Sequence, residues 1–235
     1  MRFLIIHFAL VFFSTIINAQ SNTKTVVKRY LFHSHGISFQ NFGHLNNRIK
    51  AYPQYEQLKN TTGTLQFGIF TAYKKIVIGY SGNFGSSLSG DKNKKSSSIN
   101  FSGAAIDFGY NIIKTDRVSL FPFAGLGYEK FKASFNKDIS TIAFDSVLAS
   151  NNVRQSTQGL EFTNAFAVYR LGFAAFITSK KHPQNSFGLH LGYTGSFKEK
   201  DWKINNEQSL FSSPKDKLSK IFASIIIRYE FKKSK

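Results

Sequence analysis

The feature that most constrains this chain is a two-fold alternation of side chains in its final stretch, Lys217 to Phe231. Ile221, Ala223, Ile225, Ile227, Tyr229 and Phe231 fall on one parity; Lys220, Phe222, Ser224, Ile226, Arg228 and Glu230 fall on the other. Successive side chains of a strand point to opposite faces, so the spacing predicts a strand with one unbroken apolar face ending in two aromatics and one mixed face. The same period recurs over Leu31–Phe42, Thr61–Tyr73, Lys75–Phe84, Ile99–Ile113, Val118–Ala133, Glu161–Thr178 and Phe187–Phe197. No segment sustains a helical period, and only 4 prolines interrupt the chain, so the expected class is all-β with about eight strands.

The connections sort by length. Gly43–Asn60, Gly85–Ser98, Ser134–Leu160 and Lys198–Asp216 are long; Lys74, Lys114–Arg117 and Ser179–Ser186 are short. Strict long–short alternation places all long loops at one end of an up-and-down antiparallel meander. Closing that meander into a barrel leaves no exposed strand edge, which hydrocarbon requires.

Alternation alone also suits a soluble lipocalin-like ligand carrier. Three features favour a transmembrane barrel. The less apolar faces carry Gly, Ser, Thr, Asn and Ala more than Lys or Glu. Aromatics gather near strand ends: Tyr73, Phe84, Tyr110, Phe123, Tyr128, Phe187, Phe197, Tyr229 and Phe231. Such residues form interfacial girdles. The third is the terminal strand. Charge then sets the parity. An arginine facing lipid at mid-membrane costs about 2–4 kcal/mol. Asp107, Glu129, Arg170, Arg228 and Glu230 are therefore expected inside the lumen, paired across it.

Residues 1–19 read as a cleaved secretory signal: Arg2, then the apolar run Phe3–Ile17, then Asn18-Ala19 before Gln20. Residues 20–30 form a short N-terminal segment, 31–231 the barrel and 232–235 a basic tail. The barrel is one domain. With 0 cysteines the chain has neither a lipoprotein anchor nor a disulfide. The formal charge of +18 comes from short clusters such as Lys92, Lys94, Lys95 and Lys198, Lys200, Lys203. They lie between apolar segments rather than along a helix, which argues against nucleic acid and for anionic lipid or polysaccharide as neighbours.

The ending Tyr229-Glu230-Phe231 resembles the terminal signal by which barrel-assembly machinery recognises its substrates, although Lys232–Lys235 follow it. Residues 31–231 resemble the small eight-stranded outer-membrane barrels, the class of the outer-membrane protein A and X barrel domains. The resemblance implies a Gram-negative outer-membrane location, contact with lipid and lipopolysaccharide, a lumen filled by side chains, and long extracellular loops with a structural or surface-ligand role. Some such barrels are rim enzymes acting on lipid or peptide. Here His33-Ser34-His35 offers a two-residue metal pair, and His190 shares a face with Thr194 and Ser196, as a hydrolase would need. The plainer readings, an exposed barrel-mouth strand and a lumen residue, fit the pattern better. No catalytic, cofactor or metal residue is assigned, and a non-enzymatic role is expected.

Overall fold

The computed structural model describes residues 27–91, 94–115, 117–204 and 208–231. The expected signal sequence, the expected basic tail and Lys92 lie outside the described residues. Eight long strands form the wall: β1 Lys28–Gln40, β2 Thr61–Tyr73, β3 Ile76–Gly90, β4 Ser96–Tyr110, β5 Val118–Asn136, β6 Leu160–Thr178, β7 Asn185–Ser196 and β8 Ser219–Glu230. Each pairs antiparallel with its sequence neighbours, and β1 pairs with β8 to close the barrel.

Closure carries a stagger. Stepping from Thr71 through Ile78, Phe108, Ala124, Leu171, Tyr193, Ile221 and Phe39 returns to β2 at Thr61, ten residues along (71 to 61). In an eight-stranded barrel such a stagger tilts the strands by about 40° and leaves an interior that side chains fill.

The alternation sorts as read. Leu65, Phe67, Ile69, Ile106, Phe108, Leu189, Leu191, Ile221 and Ile225 point outward and are exposed. Between them, Gln66, Asp107, His190, Lys220 and Arg228 point inward and are buried. An apolar exterior, with the wall's charged side chains turned inward, is the reverse of a soluble carrier. Phe84, Tyr110, Tyr128, Phe187, Phe197, Tyr229 and Phe231 are exposed on the outside, and Tyr73 is half-buried. Phe123 departs from the expected outer set. It lies inside at 5% exposure, because it sits between the outward Pro122 and Ala124 in register with Gly109 and Gly172.

The boundaries differ most at Gly85–Ser98. This segment is not a loop. β3 and β4 run up as a hairpin, with Ser87 opposite Ile99 and Ser89 opposite Ser97, and only 91–95 connect them. Serine and glycine read locally as loop. Pairing with β5, Ser97 against Phe135, recruits them into the sheet. The other long connections carry structure of their own: α1 Gly43–Lys50 after β1, α2 Phe144–Ala149 and α3 Asn151–Thr157 between β5 and β6, and short paired segments 200–201, 203–204, 208–209 and 215–216 before β8. The tight turn after β2 holds Lys74 at φ 54°, a left-handed conformation.

Candidate functional site in the barrel lumen

The lumen is filled in three layers. At the short-turn end an apolar layer contains Tyr30, Phe32, Phe70, Val77, Phe121, Phe123, Phe176 and Ile226. Its rings stack: Phe32 on Phe70 at 4.3 Å and Phe121 on Phe176 at 5.9 Å.

The middle layer is polar and contains two buried ion pairs. Arg170 on β6 meets Asp107 on β4 at 3.2 Å and donates to Ser81 Oγ at 3.3 Å. Lys220 on β8 reaches both carboxylate oxygens of Glu129 on β5 at 2.6 Å. Lys220 Nζ also lies 4.1 Å from the centre of the Phe101 ring. All four side chains are at most 8% exposed. Burying a charge is costly unless it is paired and hydrogen-bonded, and here each acid of this layer finds a base across the barrel. Beside them is a cavity of about 30 Å³ lined by Ser34, Gln66, Asn83, Glu129, Arg170, Thr194 and Lys220, with room for one or two waters.

Arg170 and Arg228 both point inward, as the parity argument requires. Arg170 meets Asp107, one of the acids expected there; the other partners differ from the expectation. Lys220, not an arginine, faces Glu129, and Glu230 bonds Lys28 at the barrel end at 3.1 Å. Arg228 has no carboxylate within ion-pair distance among the described residues. Its guanidinium lies instead against the rings of Tyr30 (4.5 Å) and Phe176 (3.9 Å). Removing Arg228 would therefore strand no acid, contrary to the sequence reading.

His190 is buried, with Nδ1 3.2 Å from Gln66 Oε1 and its ring 4.8 Å from that of Phe123. Thr194 and Ser196 are buried on the same face, but the imidazole's polar contact is with Gln66; Ser196 Oγ accepts from Leu218 N at 2.9 Å instead. His33 and His35 are not at the barrel mouth. They face outward in mid-strand, opposite Ile227 and Ile225 and beside Phe67 and Leu65. Their rings sit edge-to-face at 5.8 Å, and His33 stacks near Tyr229 at 6.1 Å.

The long-loop end is closed by a feature the sequence reading missed. Asp216, 2% exposed, accepts hydrogen bonds from His44 N (3.0 Å), Leu45 N (3.1 Å) and Trp202 Nε1 (2.8 Å). α1 has no local side-chain cap, so a carboxylate distant in sequence satisfies its first N–H groups and complements its dipole. The docked helix drives Leu45 and Ile49 into a core with Phe42, Ile99, Phe101, Phe131, Phe135, Phe166, Trp202 and Leu218. Trp202 meets Phe42 edge-on at 5.4 Å, and Phe42 meets Phe131 at 5.1 Å. Asn46 fastens the next segment: its Oδ1 accepts from Leu58 N at 2.9 Å, and its Nδ2 donates to Leu58 O at 3.1 Å. The available signals were Leu45 and Ile49 at helical spacing and the single Trp of the chain inside a polar loop.

No family model matches the chain, and no curated protein does. Solved structures match in fold. Ail, the attachment invasion locus protein of Yersinia pestis, crystallised with the heparin analogue sucrose octasulfate, is 11% identical with a TM-score of 0.50, over 87% of this chain and 99% of that one. A major outer membrane protein from Thermus thermophilus is 13% identical with a TM-score of 0.53, over 88% of this chain and 100% of that one. Fold and apolar belt together define the class: a small, eight-stranded, up-and-down β-barrel of the outer-membrane type, with a plugged lumen.

Proposed function

We propose that the protein is a closed anchor in the outer membrane that holds a rigid, cationic surface outside the cell for anionic glycans, lipopolysaccharide among them. The observation that carries this reading is the closure of the lumen at the long-loop end. The Asp216 clamp and the aromatic core beneath α1 oppose passage through the barrel and hold the loops in a fixed arrangement. Arg48, Lys50, Lys59, Lys94, Lys198 and Lys203 are exposed on those loops. Fixed cations bind polyanions with little ordering cost, and that binding weakens with salt. The reading draws support from Ail, a barrel of this fold crystallised with a sulfated sugar. Insertion would follow recognition of Tyr229-Glu230-Phe231 by the assembly machinery.

The test is binding of heparin, and of dextran as the neutral control, to the protein in nanodiscs. Heparin should bind at low salt and be released as salt rises, and reversing Lys50, Lys94 and Lys203 to Glu should weaken it at least tenfold. Equal binding of dextran, or no effect of charge reversal, would overturn the proposal, as would steady ion conductance in planar bilayers for the anchor itself.

A further inference from the structure

The short-turn end of the barrel holds a vestibule of about 350 Å³. At its base is Arg228, 7% exposed, whose Nε has no hydrogen-bond partner among the described residues. Among the described residues, the other two buried lumen cations each face a carboxylate and this one does not. An uncompensated buried charge is costly, and two aromatic faces offset part of that cost. The rings of Tyr30 and Phe176 lie 4.5 and 3.9 Å from the guanidinium carbon and leave the Nε–H without an acceptor, so the fork keeps a donor for a planar anion.

The walls suit an anion. Lys28, Lys114, Ser119, Thr178 and Ser186 line the vestibule with Arg228. Thr178 and Ser186 share a hydrogen bond of 3.1 Å, and Ser119 donates to Asn111 Oδ1 at 2.6 Å. The one acid among the described lining residues is Glu230, already bonded to Lys28 at 3.1 Å. Among the described residues, three cations against one carboxylate leave the vestibule positive.

We propose that this vestibule is a binding site for a small oxyanion, a carboxylate or a phosphate, held edge-on by Arg228 with Lys28 or Lys114 as the second contact. The site is independent of the surface at the long-loop end. It opens on the opposite side of the bilayer from the loops.

The experiment observes the arginine side-chain Nε–H resonances of labelled protein in a maltoside detergent. The probes are inorganic phosphate, acetyl-Gly-Gly with a free carboxylate, and the amidated form of that peptide. The Arg228 resonance should shift saturably with an anionic probe and stay fixed with the amide; which anion binds tighter identifies the source. With the backbone amides of Ser119 and Ser186 as the readout for the variants, Arg228→Gln should weaken binding tenfold or more, and Arg228→Lys several-fold, since lysine keeps charge without the fork. A resonance unmoved by both anions, or equal affinity in the folded Arg228→Lys variant, overturns the proposal. Asp116 neighbours the lining residue Thr115 in sequence, so Asp116→Asn is included. Binding seen in that variant alone would mean that the chain supplies its own anion, and the proposal would fail.

Discussion

Lys220→Met tests the lumen reading most directly. The ammonium lies 2.6 Å from both oxygens of Glu129, with side-chain exposures of 5% and 2%. At an effective dielectric of about 20, unit charges that close attract by about 6 kcal/mol, most of which offsets the loss of water around both. Removing the lysine deletes the attraction and leaves the carboxylate's desolvation in place, a loss of about 3–5 kcal/mol. The contact with Phe101 at 4.1 Å adds about 1–2 kcal/mol. Glu129→Leu/Lys220→Met removes both charges and should recover most of the loss, giving a coupling of about 2 kcal/mol or more. Urea unfolding in lipid vesicles measures it, with Trp202 as reporter: it is the single tryptophan and is fully buried above this layer. A Lys220→Met variant within about 0.5 kcal/mol of wild type, or a double variant no better than the single, would refute the reasoning.

Asp216→Ala leaves two backbone N–H groups and the Trp202 indole N–H without their acceptor, at about 1–3 kcal/mol each if they stay buried; tryptic cleavage after Arg48 or Lys50 should speed up while the barrel keeps its heat-modifiable gel shift, and unchanged cleavage would count against the clamp. Ile227→Arg, on the outer face and level with the interfacial Phe187, should cost about 1 kcal/mol in vesicle unfolding, whereas Arg228→Leu, with no acid to strand, should be neutral or stabilising; a loss at Arg228→Leu matching that of Lys220→Met would reverse this assignment. Lys94→Cys and Ser212→Cys should react with an impermeant thiol reagent on whole cells, while Ser97→Cys, at 0% exposure, and Thr115→Cys, at the opposite end, should not; labelling at Thr115→Cys alone would invert the topology.

The strands and their facing were legible because the information is local. A pleated strand turns alternate residues to opposite sides, and apolar runs beside Arg170 and Arg228 leave one orientation of low cost. Thr61–Tyr73 matches its strand end to end for that reason. Which inward charge meets which was not legible. Parity places Glu129, Lys220, Asp107 and Arg170 inside, but the barrel's ten-residue stagger decides who shares a level, and no local pattern encodes it. The serine-rich stretches on either side of 91–95 are equally undecided alone, since the partner strand supplies their hydrogen bonds. Asp216 reads as one more polar loop residue until the fold brings the N-terminus of α1 and Trp202 to it. Period two along the chain thus set the wall and its faces; distances across the lumen, which depend on tilt and stagger together, set the ion pairs, the seal and the unpaired guanidinium of Arg228.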